Sequence, residues 1–290
     1  MQPSDRLLNW IIFILLAFIW GSSFILMKEG MKQLTAYQVA AIRMATAGIV
    51  MLPWAVRLMK ELPRNKIGYV ILSGLLGSFF PAFLFCIAET RIDSSLAGIL
   101  NALTPISVIT IGVVFFHSKA TVAQVMGVVI GFIGLCLLFL AKGKVDFSYI
   151  GYSSLALLAT IMYGLNVNIV NRHLHEVPSF HIAMFAFVAL LVPSLLVLWG
   201  TGYFDLPLGN KEILVATGYS ALLGFASTAI ATVLFYVLLK KAGPIFSSLV
   251  TYGIPFVAIF WGLLAGENIT ILEMVCLGVI LAGVYVARKR

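Results

Sequence analysis

The sequence predicts an all-α integral membrane protein of ten transmembrane helices in two inverted five-helix repeats. Three observations carry this. The 290 residues are 61% hydrophobic and only 10% charged, where a soluble domain carries about 25% charge, so lipid must solvate most of the exterior. The apolar runs are each about as long as the roughly 20 residues needed to cross a bilayer. The chain also repeats itself at a near-constant offset: Gly68-Tyr69, Gly74, Phe85 and Pro105 recur as Gly218-Tyr219, Gly224, Phe235 and Pro255. Trp20-Gly21 likewise recurs as Tyr163-Gly164, and Thr121, Gln124 and Gly134 as Thr270, Glu273 and Gly283. Duplication of this kind, with a buried proline at the same place in each half, is the pattern of a secondary transporter.

The spans read in order as 8–27, 36–58, 67–88, 94–116, 120–140, 148–171, 180–200, 212–238, 243–265 and 269–287. The first follows Arg6 and resembles a signal peptide in isolation; the many apolar runs behind it favour an uncleaved span. The second holds Arg43, and the third is rich in Phe around Phe79 and Phe83. The fourth and ninth are interrupted by Pro105 and Pro255. The fifth and tenth open on Thr121-x-x-Gln124 and Thr270-x-x-Glu273, which read as capping boxes. The third, sixth and eighth have the softest edges. Short loops leave no room for a soluble domain, and the repeats divide as 1–143 and 144–290.

With the N-terminus inside, cytoplasmic segments hold 12 Lys and Arg and outer loops hold 6, with Arg43 inside a span. That bias places both termini in the cytoplasm of a bacterial inner (plasma) membrane. Five spans per half then force the second half to enter the bilayer from the opposite side, which is the inverted arrangement. The net charge of +8 is distributed over these loops and forms no nucleic-acid-binding stripe. Cys86, Cys136 and Cys276 lie in apolar runs without metal-ligand spacing. His173-Leu174-His175-Glu176 lacks the zinc-protease spacing, and no hydrolase elbow or phosphate loop is present. The reading is therefore of a non-enzyme with no cofactor and no metal. Its expected partners are a small-molecule substrate and the lipid bilayer, with no nucleic acid, and it leaves room for a homodimer.

Helical spacing suggests a substrate pathway. Trp20, Ser23 and Met27 share one face of the first span; Tyr163, Asn166 and Val170 share one of the sixth. Ala97, Asn101 and Thr104 share a face of the fourth. Ser247 or Ser248, with Thr251 and Tyr252, matches it on the ninth. The eighth offers Ser227, Thr228 and Thr232; the third offers Phe79, Phe83 and the lone hydroxyl of Ser78. Singly, such hydroxyls are interhelical glue worth about 0.6 kcal/mol; as a converging set they define the candidate cavity. Pro105 and Pro255 are expected to bend their helices and act as hinges. Arg43 sits ~10 Å below the outer end of its span. An ion pair with Glu89 or Asp93 is its expected role, and binding of a substrate carboxylate the second. The middle of the spans lacks Asp and Glu, so the pathway suits a small zwitterion or neutral amphipathic solute better than a phosphorylated sugar.

Trp20-Gly21-Ser22-Ser23-Phe24, Arg43, Pro105 and Pro255…Gly266-Glu267 together resemble the EamA-type branch of the drug/metabolite transporter superfamily over nearly the whole chain. The resemblance implies ten helices in inverted repeats and export of amino acids or other small metabolites by alternating access. One departure stands out. The first half has Phe116-His117 where the second has Gly266-Glu267, so the pair's role is not symmetric.

Overall fold

The computed structural model describes residues 3–92, 94–142, 150–264 and 270–287, and every regular element among them is helical. The segments are α1 (Pro3–Gly30), α2 (Ala36–Leu58), α3 (Ile67–Gly74, Leu75–Phe79 and Phe80–Ala88) and α4 (Ser94–Asn101 and Thr104–Phe116). They continue as α5 (Val122–Lys142), α6 (Ile150–His173), α7 (Ser179–Gly200) and α8 (Lys211–Leu222, Leu223–Ile230 and Ala231–Ala242). Last come α9 (Pro244–Ser248, Leu249–Gly253 and Ile254–Leu264) and α10 (Ile271–Ala287). Six of these helices are long and apolar enough to cross a membrane; shorter apolar helices occupy the other four expected spans. Asp93, the repeat boundary at 143/144, Gly266-Glu267 and the terminal Arg288-Lys289-Arg290 lie outside the described residues.

The helix starts follow the sequence where capping chemistry is explicit. The Thr121 amide bonds Gln124 Oε1 at 2.9 Å and the Gln124 amide bonds Thr121 Oγ1 at 3.3 Å. The same reciprocal pair forms between Thr270 and Glu273. Thr35 and Gln38 make a third box that opens α2, at a place where the sequence reading saw only a span edge. Each box satisfies backbone donors that lipid could not.

Pro105 and Pro255, unlike Pro53 of α2 and Pro193 of α7, sit near the start of an α-helical segment. The α4 helix stops at Asn101 and restarts at Thr104, so Pro105 occupies its first turn. In α9 a 3₁₀ turn, Leu249–Gly253, precedes the helix that contains Pro255. A proline in a first turn lacks an N–H that would have had no partner in any case. The expected loss of a mid-helix hydrogen bond is thus replaced by a break before Pro105 and by a 3₁₀ turn that runs directly into the helix of Pro255. Threonines cover the exposed carbonyls: Thr104 Oγ1 donates to Asn101 O at 2.6 Å, and Thr251 Oγ1 to Ser248 O at 3.0 Å.

Two π-helical segments, Leu75–Phe79 in α3 and Leu223–Ile230 in α8, were not visible in the hydrophobic pattern. They occupy matching places in the two halves, and such widened turns cluster at functional sites.

Packing partners also match between the halves. α2 packs along α7, and α5 along α10; α1 lies against α8 and α9, as α6 lies against α3 and α4. Small residues bring these backbones together, as expected where lipid removes the hydrophobic drive and van der Waals contact must hold helices. A Cβ on Gly283 would strike the backbone of Gly131 and come 2.7 Å from the Gly127 carbonyl oxygen. Tyr252 seals the same region, its hydroxyl donating to Val128 O at 2.8 Å.

Candidate functional site

The long helices and broken spans converge on a cavity of about 120 Å³ in the middle of the molecule. Both halves contribute. α1 supplies Trp20, Ser23, Phe24 and Met27; α2 supplies Arg43; α3 supplies Gly77, Ser78 and Phe85. α4 supplies Asn101 and Thr104, and α6 supplies Tyr163, Asn166 and Val167. α8 gives Ser227, Thr228, Thr232, Phe235 and Tyr236, and α9 gives Ser248, Thr251 and Ile254. Residues of both π-helical segments therefore face this space.

The π segment of α8 is tied down by its neighbours. The Trp20 indole donates to the Ser227 carbonyl at 3.1 Å, so one backbone acceptor of the widened turn has a side-chain partner. Ser23 Oγ lies 2.8 Å from Ser227 Oγ and 2.9 Å from the Ile19 carbonyl. Arg43 Nε donates to Thr228 Oγ1 at 2.6 Å. On the other wall, Tyr236 OH lies 2.9 Å from Ser73 Oγ and accepts a longer bond, 3.4 Å, from Asn166 Nδ2. Asn166 is only 4% exposed, and its Oδ1 has no hydrogen-bond partner among the described residues.

Below the cavity a vestibule of about 560 Å³ opens at one end of the molecule. Its walls include Arg6, Asn9 and Trp10 at the start of α1, Lys119 and Gln124 at the start of α5, Gly243 and Pro244 at the start of α9, and Tyr285 on α10. This is the end that holds the N-terminus. The opposite end is packed: Met27, Val39, Cys86 and Ile213 join one apolar cluster, and the Phe85 and Tyr163 rings stack at 6.2 Å.

Of the residues expected on the pathway, Trp20, Ser23, Met27, Asn101, Thr104, Tyr163, Asn166, Ser227, Thr228, Ser248 and Thr251 do meet at the cavity, joined by Arg43. Three do not. Tyr252 points into the α5–α10 core, since the 3₁₀ turn rotates it away from Thr251. Phe79 and Phe83 pack against each other, at 4.9 Å, and Phe83 against Tyr37. Pro105 and Pro255 stand one step beyond Thr104 and Ile254 and are not lining residues. Phe85, Phe235 and Tyr236 were missed, although Phe85 and Phe235 are themselves a repeat-matched pair. That matching was the available signal; which face they take depends on the π turns.

Arg43 differs from its expected role. Among the described residues it forms no ion pair with Glu89, and its partner is the Thr228 hydroxyl. Glu89 itself is not a lining residue of the cavity. No group of His, Cys, Asp and Glu able to hold a metal occurs among the described residues.

With this geometry in hand, similarity to known proteins can be placed. The model of the EamA-like transporter family matches residues 8–140 and again residues 151–288. An uncharacterized transporter of Archaeoglobus fulgidus is 25% identical over 97% of this chain and 99% of its own. An S-adenosylmethionine/S-adenosylhomocysteine transporter of Chlamydia muridarum is 26% identical over 87% of this chain and 82% of its own. A solved crystal structure with 17% identity superposes with a TM-score of 0.73, covering 99% of this chain and 97% of that one. At that identity it speaks for the fold alone.

Proposed function

The chain belongs to the EamA-like transporter family, and from that premise we propose that it is a secondary exporter of small zwitterionic or amphipathic metabolites, amino acids among them, working by alternating access. Ten transmembrane helices in two inverted five-helix repeats, 1–143 and 144–290, with both termini cytoplasmic, complete the reading. The observation that carries it is the small cavity built from both halves, with hydroxyl and amide side chains among its apolar walls, which lies between a separate vestibule at one end and a packed apolar cluster at the other. A carrier needs such a midpoint site reachable from one side at a time. With the N-terminus inside, the vestibule faces the cytoplasm, where an exporter loads.

Counterflow tests this. Purified protein is reconstituted into vesicles preloaded with unlabelled amino acids, and uptake of a labelled one is followed. A carrier is accelerated by solute on the trans side; equal uptake with and without preloading would refute carriage in favour of a channel.

A second reading, transport of an S-adenosylmethionine-like solute, is supported by the names of relatives and by the vestibule of about 560 Å³. Against it stands the small size of the central cavity, about 120 Å³ beside the vestibule's 560 Å³, which favours a small solute over a nucleoside. The same vesicles decide between the readings by which solute exchanges.

A further inference from the structure

We propose that Arg43 is the carboxylate anchor of a zwitterionic α-amino acid, whose ammonium is taken by the acceptor oxygens of Asn101, Thr104, Thr251 and Asn166. This deepens the transport reading above and rests on it.

Charge is the first argument. Arg43 lines the cavity, and among the described residues no Asp or Glu does. Its Nε is held by Thr228, which fixes the guanidinium while the remaining N–H donors of the fork have no hydrogen-bond partner among the described residues. An intramembrane cation beside a small, largely apolar cavity is stabilised by an anion placed on it. The guanidinium fork matches a carboxylate in shape as well as charge.

The second argument is the direction of the hydroxyl bonds. Thr104 donates to Asn101 O, Ser248 to Ile245 O at 2.8 Å, and Thr251 to Ser248 O. Each hydroxyl proton is committed to its own helix, so each oxygen meets the cavity as an acceptor. Asn101 Oδ1 receives only a long 3.5 Å contact from Thr104, and Asn166 Oδ1 receives none among the described residues. The lining thus offers one cationic donor and several neutral acceptors, alongside neutral donors such as the Asn101 amide and the Thr228 hydroxyl. The N–H donors of an ammonium suit those acceptors.

Together these conditions select the zwitterion. A simple carboxylate would satisfy Arg43 and leave the acceptors bare. A simple amine would satisfy the acceptors and set a second cation near Arg43. The rings of Trp20, Tyr163 and Phe235 complete the frame, giving an apolar wall for the side chain and π faces for the ammonium.

Thermal stabilisation and calorimetric titration of the purified full chain test this. The probes are alanine, threonine, leucine, methionine and phenylalanine, each beside its deaminated acid and its decarboxylated amine. At least one amino acid should bind wild-type protein, and both of its analogues should bind about tenfold more weakly or worse, the size of one lost charge-assisted bond. In Arg43→Gln, amino acid and amine should bind alike, because the carboxylate has lost its anchor. If Arg43→Gln does not fold, the analogue series on the wild type still decides. The proposal is overturned if none of the amino acids binds, if an analogue binds as tightly as its parent, or if removing the carboxylate costs as much in Arg43→Gln as in wild type. Counterflow keeps the two levels apart. Exchange of another solute without amino-acid binding sinks the anchor and leaves the carrier; amino-acid binding without exchange does the reverse.

Discussion

Gly224→Ala should damage both the fold and the site, and more than the repeat-matched Gly74→Ala. A Cβ on Gly224 would run into the Arg43 carbonyl and come 2.7 Å from Thr46 Cβ. Ordinary contact begins near 3.4 Å, so α8 must retreat from α2 by roughly 1 Å to relieve the repulsion. Gly224 lies one helical turn from Thr228, so the same movement opens the Arg43–Thr228 bond from 2.6 Å to about 3.6 Å, beyond hydrogen-bond reach. Overpacking costs about 1–3 kcal/mol, offset by about 1 kcal/mol of helix propensity gained over glycine. The net expectation is a loss of about 0–2 kcal/mol, to which the broken Arg43–Thr228 bond adds. On Gly74 the Cβ meets Ala186 Cβ at 2.9 Å and the Leu190 Cδ1 tip at 3.0 Å. The Leu190 rotamer can yield and a shift of a few tenths of an ångström clears Ala186, so that loss should stay below about 1 kcal/mol. Unfolding midpoints in denaturing detergent, read by far-UV circular dichroism, give the ranking, and vesicle counterflow gives the functional loss. Combining Gly224→Ala with Thr228→Val should then cost little further transport, since both remove one contact. A Gly74→Ala variant at least as unstable as Gly224→Ala would refute the backbone-contact argument, and so would wild-type transport in Gly224→Ala.

Tyr252→Phe should lower stability by about 1 kcal/mol, because it leaves the buried Val128 carbonyl without its donor; solute affinity should not change, and a clear affinity loss would return Tyr252 to the pathway. Pro105→Ala and Pro255→Ala should fold with less than about 1 kcal/mol of change, since each proline sits in a first turn. We expect both to slow transport and to bias the carrier to opposite faces, read by cysteine accessibility in a background lacking the native cysteines; wild-type rate with unchanged accessibility would end the hinge idea. A periplasm-dependent reporter fused after Arg290 should be silent, in keeping with the 12-to-6 distribution of basic residues; activity there would overturn the orientation and the proposed span count.

The sequence alone determined the membrane environment, the approximate positions of the helices, the capping boxes at Thr121 and Thr270 and most of the polar lining. These depend on local quantities: the apolar length of a run, the side chain three residues after a cap, and the face that a regular helix gives to residues three or four apart. The tertiary structure decided whatever departs from that regularity. The π turns moved Phe85, Phe235 and Tyr236 onto the cavity, and the 3₁₀ turn took Tyr252 off it. The break after Asn101 turned Pro105 from a mid-helix kink into a first-turn residue. Each change rotates all following side chains about the helix axis, and hydropathy does not record it because both faces of these helices are apolar. The partner of Arg43 was equally hidden. Glu89 was the natural candidate from charge and depth, yet the contact is with Thr228, 185 positions away, brought within reach because Gly224 lets α8 press against α2. Close approach of two backbones depends on what each helix lacks opposite the other, and only their packed arrangement reveals it.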